Sequence, residues 1–163
     1  MNRKILTISI ITLAIDQVSK YLIEMFLKLG EKITVIPNFF NLTLVYNEGA
    51  AWGIFSNKKA IILFGTLLSA IIIYHFIYTF KTNRRNNLAF GFLIGGLSGN
   101  LLDRVMFGYV RDFLDFYIFK YDYPVFNMAD VSIVIGVILL IIAVFKGEDR
   151  HETNSKRKSW KTW

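Results

Sequence analysis

Among the 163 residues, Asp112 and Asp130 are the side chains whose positions most demand a chemical reason. Asp130 opens a run from Val131 to Phe145 that is otherwise almost wholly apolar. A carboxylate next to hydrocarbon is costly and is kept where it has work to do. Asp112 lies in Val110-Arg111-Asp112-Phe113, just after another apolar run. Brought together, two such acids would share one proton, and a pair of that kind can activate a water against a peptide bond. Spacing alone does not bring them together. Asp115 is a rival partner for Asp112, three residues away and on one face if the segment is helical. That pairing would leave Asp130 without a role.

Further polar groups sit inside or beside apolar runs. Asp16 and Lys20 stand at i and i+4 on one helical face, and Glu24 extends that stripe by a turn. They read either as an internal ion pair or as groups orienting a nearby polar site. Gly99-Asn100-Leu101-Leu102-Asp103-Arg104 gathers an amide, an acid and a guanidinium within about a turn and a half. These could mark a membrane interface or surround a site. Asn47-Glu48-Gly49-Ala50-Ala51-Trp52-Gly53 and Phe126-Asn127-Met128-Ala129-Asp130 add two more asparagine-bearing blocks. There is no cysteine, and the two histidines, His75 and His151, stand in an apolar run and a charged tail. Neither a thiol nucleophile, a zinc site nor a Ser-His triad has its parts assembled.

The elements that must position these groups belong to a membrane protein. Hydrophobic residues make up 54% of the chain, too many for an ordinary soluble fold of this size. Four apolar runs, about 5–27, 60–80, 88–107 and 125–145, are long enough to span a bilayer. The first imitates a secretory signal peptide but continues through Asp16-Gln17-Val18-Ser19-Lys20 without a small-x-small cleavage site. Gly91, Gly95 and Gly99 recur every fourth residue, with Gly96 beside them, a face that lets helix backbones pack closely in lipid. Between the first two spans, Lys32-Ile33-Thr34-Val35-Ile36 and Phe40-Asn41-Leu42-Thr43-Leu44 flank a Pro37-Asn38 turn and predict a small hairpin on the membrane surface. Residues 108–123 are rich in Phe and Tyr and predict an interfacial segment, of which residues 113–123 are expected to gate the site. Lys81, Arg84 and Arg85 are placed in the short loop before the third span.

Residues 1–146 thus predict one integral-membrane domain, and 147–163 a basic, disordered tail. Eleven of the nineteen Lys and Arg lie in the N-terminal tail, the 81–87 loop and the stretch from Lys146 onward, against six in the connections at 28–59 and 108–124. By the positive-inside bias both termini are cytoplasmic, which puts Asp112 and Asp130 at the outer face. The net charge of +7 is distributed for membrane orientation, and nucleic acid is not expected as a partner.

Taken in order, the five blocks at Asp16–Lys20, Asn47–Gly53, Gly99–Arg104, Val110–Phe113 and Phe126–Asp130 resemble those of lipoprotein signal peptidase, or signal peptidase II, a bacterial inner-membrane family. The resemblance runs from about Asp16 to Phe145. Glu24, Glu48 and Arg111 depart from the family's pattern. The resemblance implies an all-α membrane fold of four transmembrane helices with a small extracytoplasmic β-cradle. It implies an aspartic endopeptidase with Asp112 and Asp130 as the catalytic pair, and Asp16, Lys20, Asn47, Asn100, Asp103, Arg104 and Asn127 lining or bracing the site. The substrate so implied is a prolipoprotein cut on the N-terminal side of a diacylglyceryl-modified cysteine, by a monomer among membrane lipids, with no metal or cofactor. A small transporter or a structural membrane subunit, holding acids in ion pairs, is the competing reading from the residues alone.

Overall fold

The computed structural model describes residues 2–49, 59–119 and 121–149. The block Ala50-Ala51-Trp52-Gly53 and the tail from Arg150 lie outside the described residues. In chain order the elements are α1 (Arg3–Phe26), β1 (Lys32–Ile36), β2 (Phe40–Asn47), α2 (Lys59–Phe76), α3 (Arg84–Phe107), β3 (Val110–Ile118), β4 (Tyr121–Asp122) and α4 (Met128–Phe145).

Asparagines start three of the four helices, each satisfying an otherwise orphaned N–H of the first turn. Asn2 accepts from the Lys4 N–H at 3.0 Å, Asn83 from that of Asn86 at 2.9 Å, and Asn127 from that of Asp130 at 3.1 Å. The Asn83 cap corrects one expectation: Arg84 and Arg85 belong to the first turn of α3, not to the loop before it. Gly108, at φ 81°, closes α3 in the left-handed conformation that glycine adopts without strain.

The expected hairpin is present as β1 and β2, with Asn38 at φ 58° in its turn. Residues 110–118, within the segment expected at the interface, form β3 and pair antiparallel with β2. The four strands run in the order β1-β2-β3-β4. Some of the segment's aromatic residues pack across the sheet: Phe40 stacks on Phe116 at 4.5 Å between ring centres, and Phe116 on Phe126 at 5.6 Å. Asp112 is therefore on a strand, opposite Val45, and Asp115 opposite Asn41.

α3 is the central helix because its glycines admit neighbours on two sides. A Cβ at Gly95 would stand 2.6 Å from Thr12 Cβ and 2.7 Å from the Ser9 carbonyl of α1, and one at Gly96 would stand 2.6 Å from the Ala129 carbonyl of α4. A Cβ at Gly91 would collide with Ile8, and one at Gly99 with the Asp16 carboxylate. The bundle is polar inside around the site, has a buried apolar cluster of Ile5, Phe80, Phe90 and Ala143, and is apolar outside. Asp16, Lys20, Asp103 and Asn127 are fully buried, while Ile10, Ile15 and Val18 of α1 and Val134, Ile138 and Ile141 of α4 face outward. Of the described helices, α1 and α4 are long and apolar enough to cross a membrane.

These contacts predict that Gly95→Ala costs about 1–3 kcal/mol through overpacking. Gly65→Ala, where an added Cβ meets nothing within 4 Å, should be neutral or mildly stabilising. Thermal unfolding of the two variants in detergent compares them directly.

Candidate active site

β3 presents Asp112 and the first turn of α4 presents Asp130, and one residue holds both. The Asn127 side-chain amide donates to Asp112 Oδ1 at 2.6 Å, while its backbone N–H donates to Asp130 Oδ2 at 3.2 Å. The second bond is half of a capping box in which Asn127 and Asp130 satisfy each other's N–H groups. A local rule of helix initiation thus fixes the direction of one carboxylate, and the same asparagine reaches the other.

Each acid has a second amide. Asn47 at the end of β2 donates to Asp112 Oδ2 at 2.9 Å, and its own carbonyl accepts the Gly49 N–H at 2.9 Å, so the amide is held from both ends. Asn100 of α3 donates to Asp130 Oδ1 at 2.8 Å, and its carbonyl accepts from Asn127 at 3.1 Å and from Lys20 Nζ at 3.1 Å. Asp112 is 3% exposed and Asp130 is half-buried, so the pair has one sheltered and one more open member. Burial first, and then the charge of Asp130, push the Asp112 carboxyl up to about 7, against the opposing pull of the Asn47 and Asn127 hydrogen bonds.

Below the pair lies a buried ionic layer. Lys20 contacts Asp16 at 2.8 Å and Asp103 at 3.3 Å, with all three side chains fully buried. Asp16 turns its other oxygen to the backbone N–H of Ala129 at 2.9 Å, so α1 caps the first turn of α4 from outside. Arg104 donates to the Asn100 backbone carbonyl at 3.3 Å and is within electrostatic reach of both Asp130 and Asp112. All nine residues singled out from sequence therefore meet in one cluster. Asp115 points elsewhere: it pairs with Lys32 at 2.6 Å and accepts from Asn41 at 3.2 Å, a structural link across the sheet.

Three side chains of the cluster had no assigned place in the site. Arg111 sends its guanidinium to both oxygens of Asp103, to Glu24 Oε2 at 2.8 Å and to Gln17 Oε1 at 2.9 Å, and its plane lies 4.7 Å from the Phe107 ring centre. Gln17 closes the circuit by donating to Asp16 at 3.0 Å and Asp103 at 3.1 Å. Glu24 also accepts from the Tyr46 hydroxyl at 3.2 Å. The signal was available in part, since Glu24 continues the Asp16–Lys20 stripe and Arg111 adjoins Asp112. That these two charges meet needs the tertiary fold.

Comparison with known proteins now bears on this geometry. The family model described as signal peptidase (SPase) II matches residues 8–146. The chain belongs to the signal peptidase II family. A protein named lipoprotein signal peptidase from Staphylococcus aureus (strain bovine RF122 / ET3-1) is 42% identical over 152 residues, covering 93% of this chain and 90% of the relative. Its counterpart from strain JH9 is 41% identical with the same coverage. A solved structure described as a bacterial membrane enzyme, obtained by the in meso method at 2.3 Å, superposes with a TM-score of 0.78 at 41% identity over 94% of this chain and 92% of its own. A second, at 1.9 Å, gives 0.73 at 42% identity over 87% and 92%. Every block of the signal peptidase II resemblance from Asp16 onward falls within the matched span.

Arg111 is 5% exposed and Glu24 27% exposed at the side chain, so their exchange tests coupling. Arg111→Met should destabilise by about 3 kcal/mol, because Glu24 and part of Asp103 lose their counter-charge. Adding Glu24→Leu should recover part of that loss. A double-mutant cycle from thermal unfolding in detergent reads the coupling, and strict additivity of the two changes would show that the pair does not interact.

Proposed function

We propose that Asp112 and Asp130 form an aspartic dyad that hydrolyses the peptide bond. The reaction they serve is the family's own: the chain is a protease that removes signal peptides from prolipoproteins. The single observation that carries the dyad is Asn127, which hydrogen-bonds both carboxylates at once.

Two neighbouring acids in a partly dry site hold one proton between them, and that proton belongs to the pair. The ionised member takes a proton from a water, whose oxygen attacks the scissile carbonyl carbon. The protonated member gives its proton to the carbonyl oxygen. As the tetrahedral intermediate collapses, the amide C–N bond breaks and the new amine leaves with a proton from the dyad. Asn47, Asn100 and Asn127 hold the carboxylates in place, while Lys20, Asp16 and Asp103 hold the asparagines and helix ends. Arg104, charged and beside both acids, suits a contact with the substrate backbone.

The remaining topology belongs to the same reading. α2 and α3 join α1 and α4 as spans, giving four, with both termini cytoplasmic and the dyad at the outer face; the charge count supports this orientation. Residues 1–146 are one membrane domain, followed by a basic cytoplasmic tail. A diacylglyceryl-modified cysteine keeps its acyl chains in the bilayer and brings the bond on its N-terminal side to the dyad's depth. Because both acids come from one chain, a monomer suffices. Movement of residues 113–123 over the substrate would gate access.

Asp112→Asn and Asp130→Asn should each lower cleavage of a diacylglyceryl-modified prolipoprotein by at least about a thousandfold while leaving the thermal midpoint near wild type. Asp115→Asn should keep measurable activity. Retention of wild-type cleavage by either dyad variant would refute the aspartic mechanism. With Asp112 raised to about 7, a rise in pH through that value removes the shared proton, so kcat/KM should fall on the alkaline side. Asn47→Ala, which removes a hydrogen bond that favours the ionised form, should move that limb to higher pH.

A further inference from the structure

At the opposite end of the bundle from the dyad, α1 and α3 begin side by side, tied by an Asn2 to Asn87 hydrogen bond at 3.4 Å. A groove of about 420 Å³ opens between them, lined by Arg3, Lys4 and Ile8 of α1 and by Arg84, Asn87 and Leu88 of α3. Three cations converge on it from two helices, and among the described residues no acid lines it. The neighbouring Arg85 is neutralised by Glu148, but among the described residues no carboxylate pairs with Arg3, Lys4 or Arg84. Within the described residues their charge faces outward, uncompensated.

The groove also has an apolar side. Ile8 and Leu88 lie about one turn deeper than the cations, and beyond them α1 exposes Ile10 and Ile11. A soluble anion would use only the rim of such a groove. An amphiphile with an anionic head and hydrocarbon tail uses both parts.

We propose that this groove binds one anionic phospholipid, with its phosphodiester on Arg3, Lys4 and Arg84 and the start of an acyl chain over Ile8 and Leu88. Guanidinium groups match phosphate oxygens in paired hydrogen bonds, and cationic pockets between membrane helices recognise anionic headgroups. Orientation by positive charge requires cations at this end of the bundle, but not their convergence on a groove floored by aliphatic side chains. The site is independent of the proteolytic chemistry.

The test is native mass spectrometry of the full chain in a zwitterionic detergent, titrated with phosphatidylglycerol, phosphatidylcholine or soluble glycerophosphate. Wild type should retain one phosphatidylglycerol in preference to phosphatidylcholine, each cation being worth about fivefold. Arg84→Gln should weaken the preference by about that factor. Leu88→Trp fills the floor without changing charge and should abolish it, whereas Lys81→Gln with Lys146→Gln, neutral at the same end but outside the groove, should leave it intact. Cleavage of prolipoprotein by each variant reports that the fold is preserved. Equal retention of the two lipids, an undiminished preference in Leu88→Trp, or a loss in the Lys81/Lys146 control equal to that in Arg84→Gln would overturn the site. Displacement of the lipid by equimolar glycerophosphate would overturn it in favour of a soluble phosphate site.

Discussion

Lys20 is the constraint around which the structure is built. Its ammonium is fully buried and cannot be left without counter-charges, since an unpaired ion in this interior costs several kcal/mol. Two carboxylates answer it, and each has a second duty. Asp16 accepts the Ala129 N–H and so sets the start of α4. Asp103 accepts the backbone and side chain of Arg111 and so sets the start of β3. The two acids proposed as catalytic sit one residue beyond those anchors, at Asp130 and Asp112. Satisfying one buried cation therefore fixes the approach of both.

That arrangement requires helices to come unusually close. Around Lys20 and Arg111 the polar interior is made largely of short side chains, Asp, Asn and Ser, and glycine on α3 lets the helices close on them. Gly99 lies directly against the Asp16 carboxylate, where any side chain would displace the acid that caps α4. Close helix packing and site geometry are thus one property here, not a scaffold and an addition to it. The outward faces carry the aliphatic residues, as expected where the surrounding medium is hydrocarbon and the interior does the hydrogen bonding.

Much of this was legible in the sequence because it rests on local rules. The glycine stripe, the i, i+4 pair of Asp16 and Lys20, the hairpin around Pro37-Asn38 and the position of Asp130 at a helix start are all short-range patterns. What was not legible depends on contacts between distant segments. The segment from Val110 to Ile118 has aromatic and acidic residues that suit an interface as well as a strand, and only pairing with β2 decides. Arg84 and Arg85 resemble a loop until Asn83 is recognised as a cap. Glu24 and Arg111, each odd alone for its place, form one ion pair across 87 residues of chain. Asp115, equal to Asp130 by composition, is set apart by Lys32 reaching it from β1 and Asn41 from β2.

α4 carries a consequence of its own. At 18 residues it is six shorter than α1, and at 1.5 Å per residue it measures about 27 Å, slightly less than the roughly 30 Å of a typical hydrocarbon core. Asp130 is its third residue, so the depth of the carboxylate is tied to where this short helix settles. In a thicker bilayer the helix end, held by Asp16 and Asn127, cannot lengthen to follow the headgroups. The acids would then lie deeper, while the acyl chains of a substrate would rise with its leaflet. On the proposed mechanism, hydrophobic mismatch would thereby change the vertical alignment of the acids and the scissile bond, making bilayer thickness a variable of the reaction.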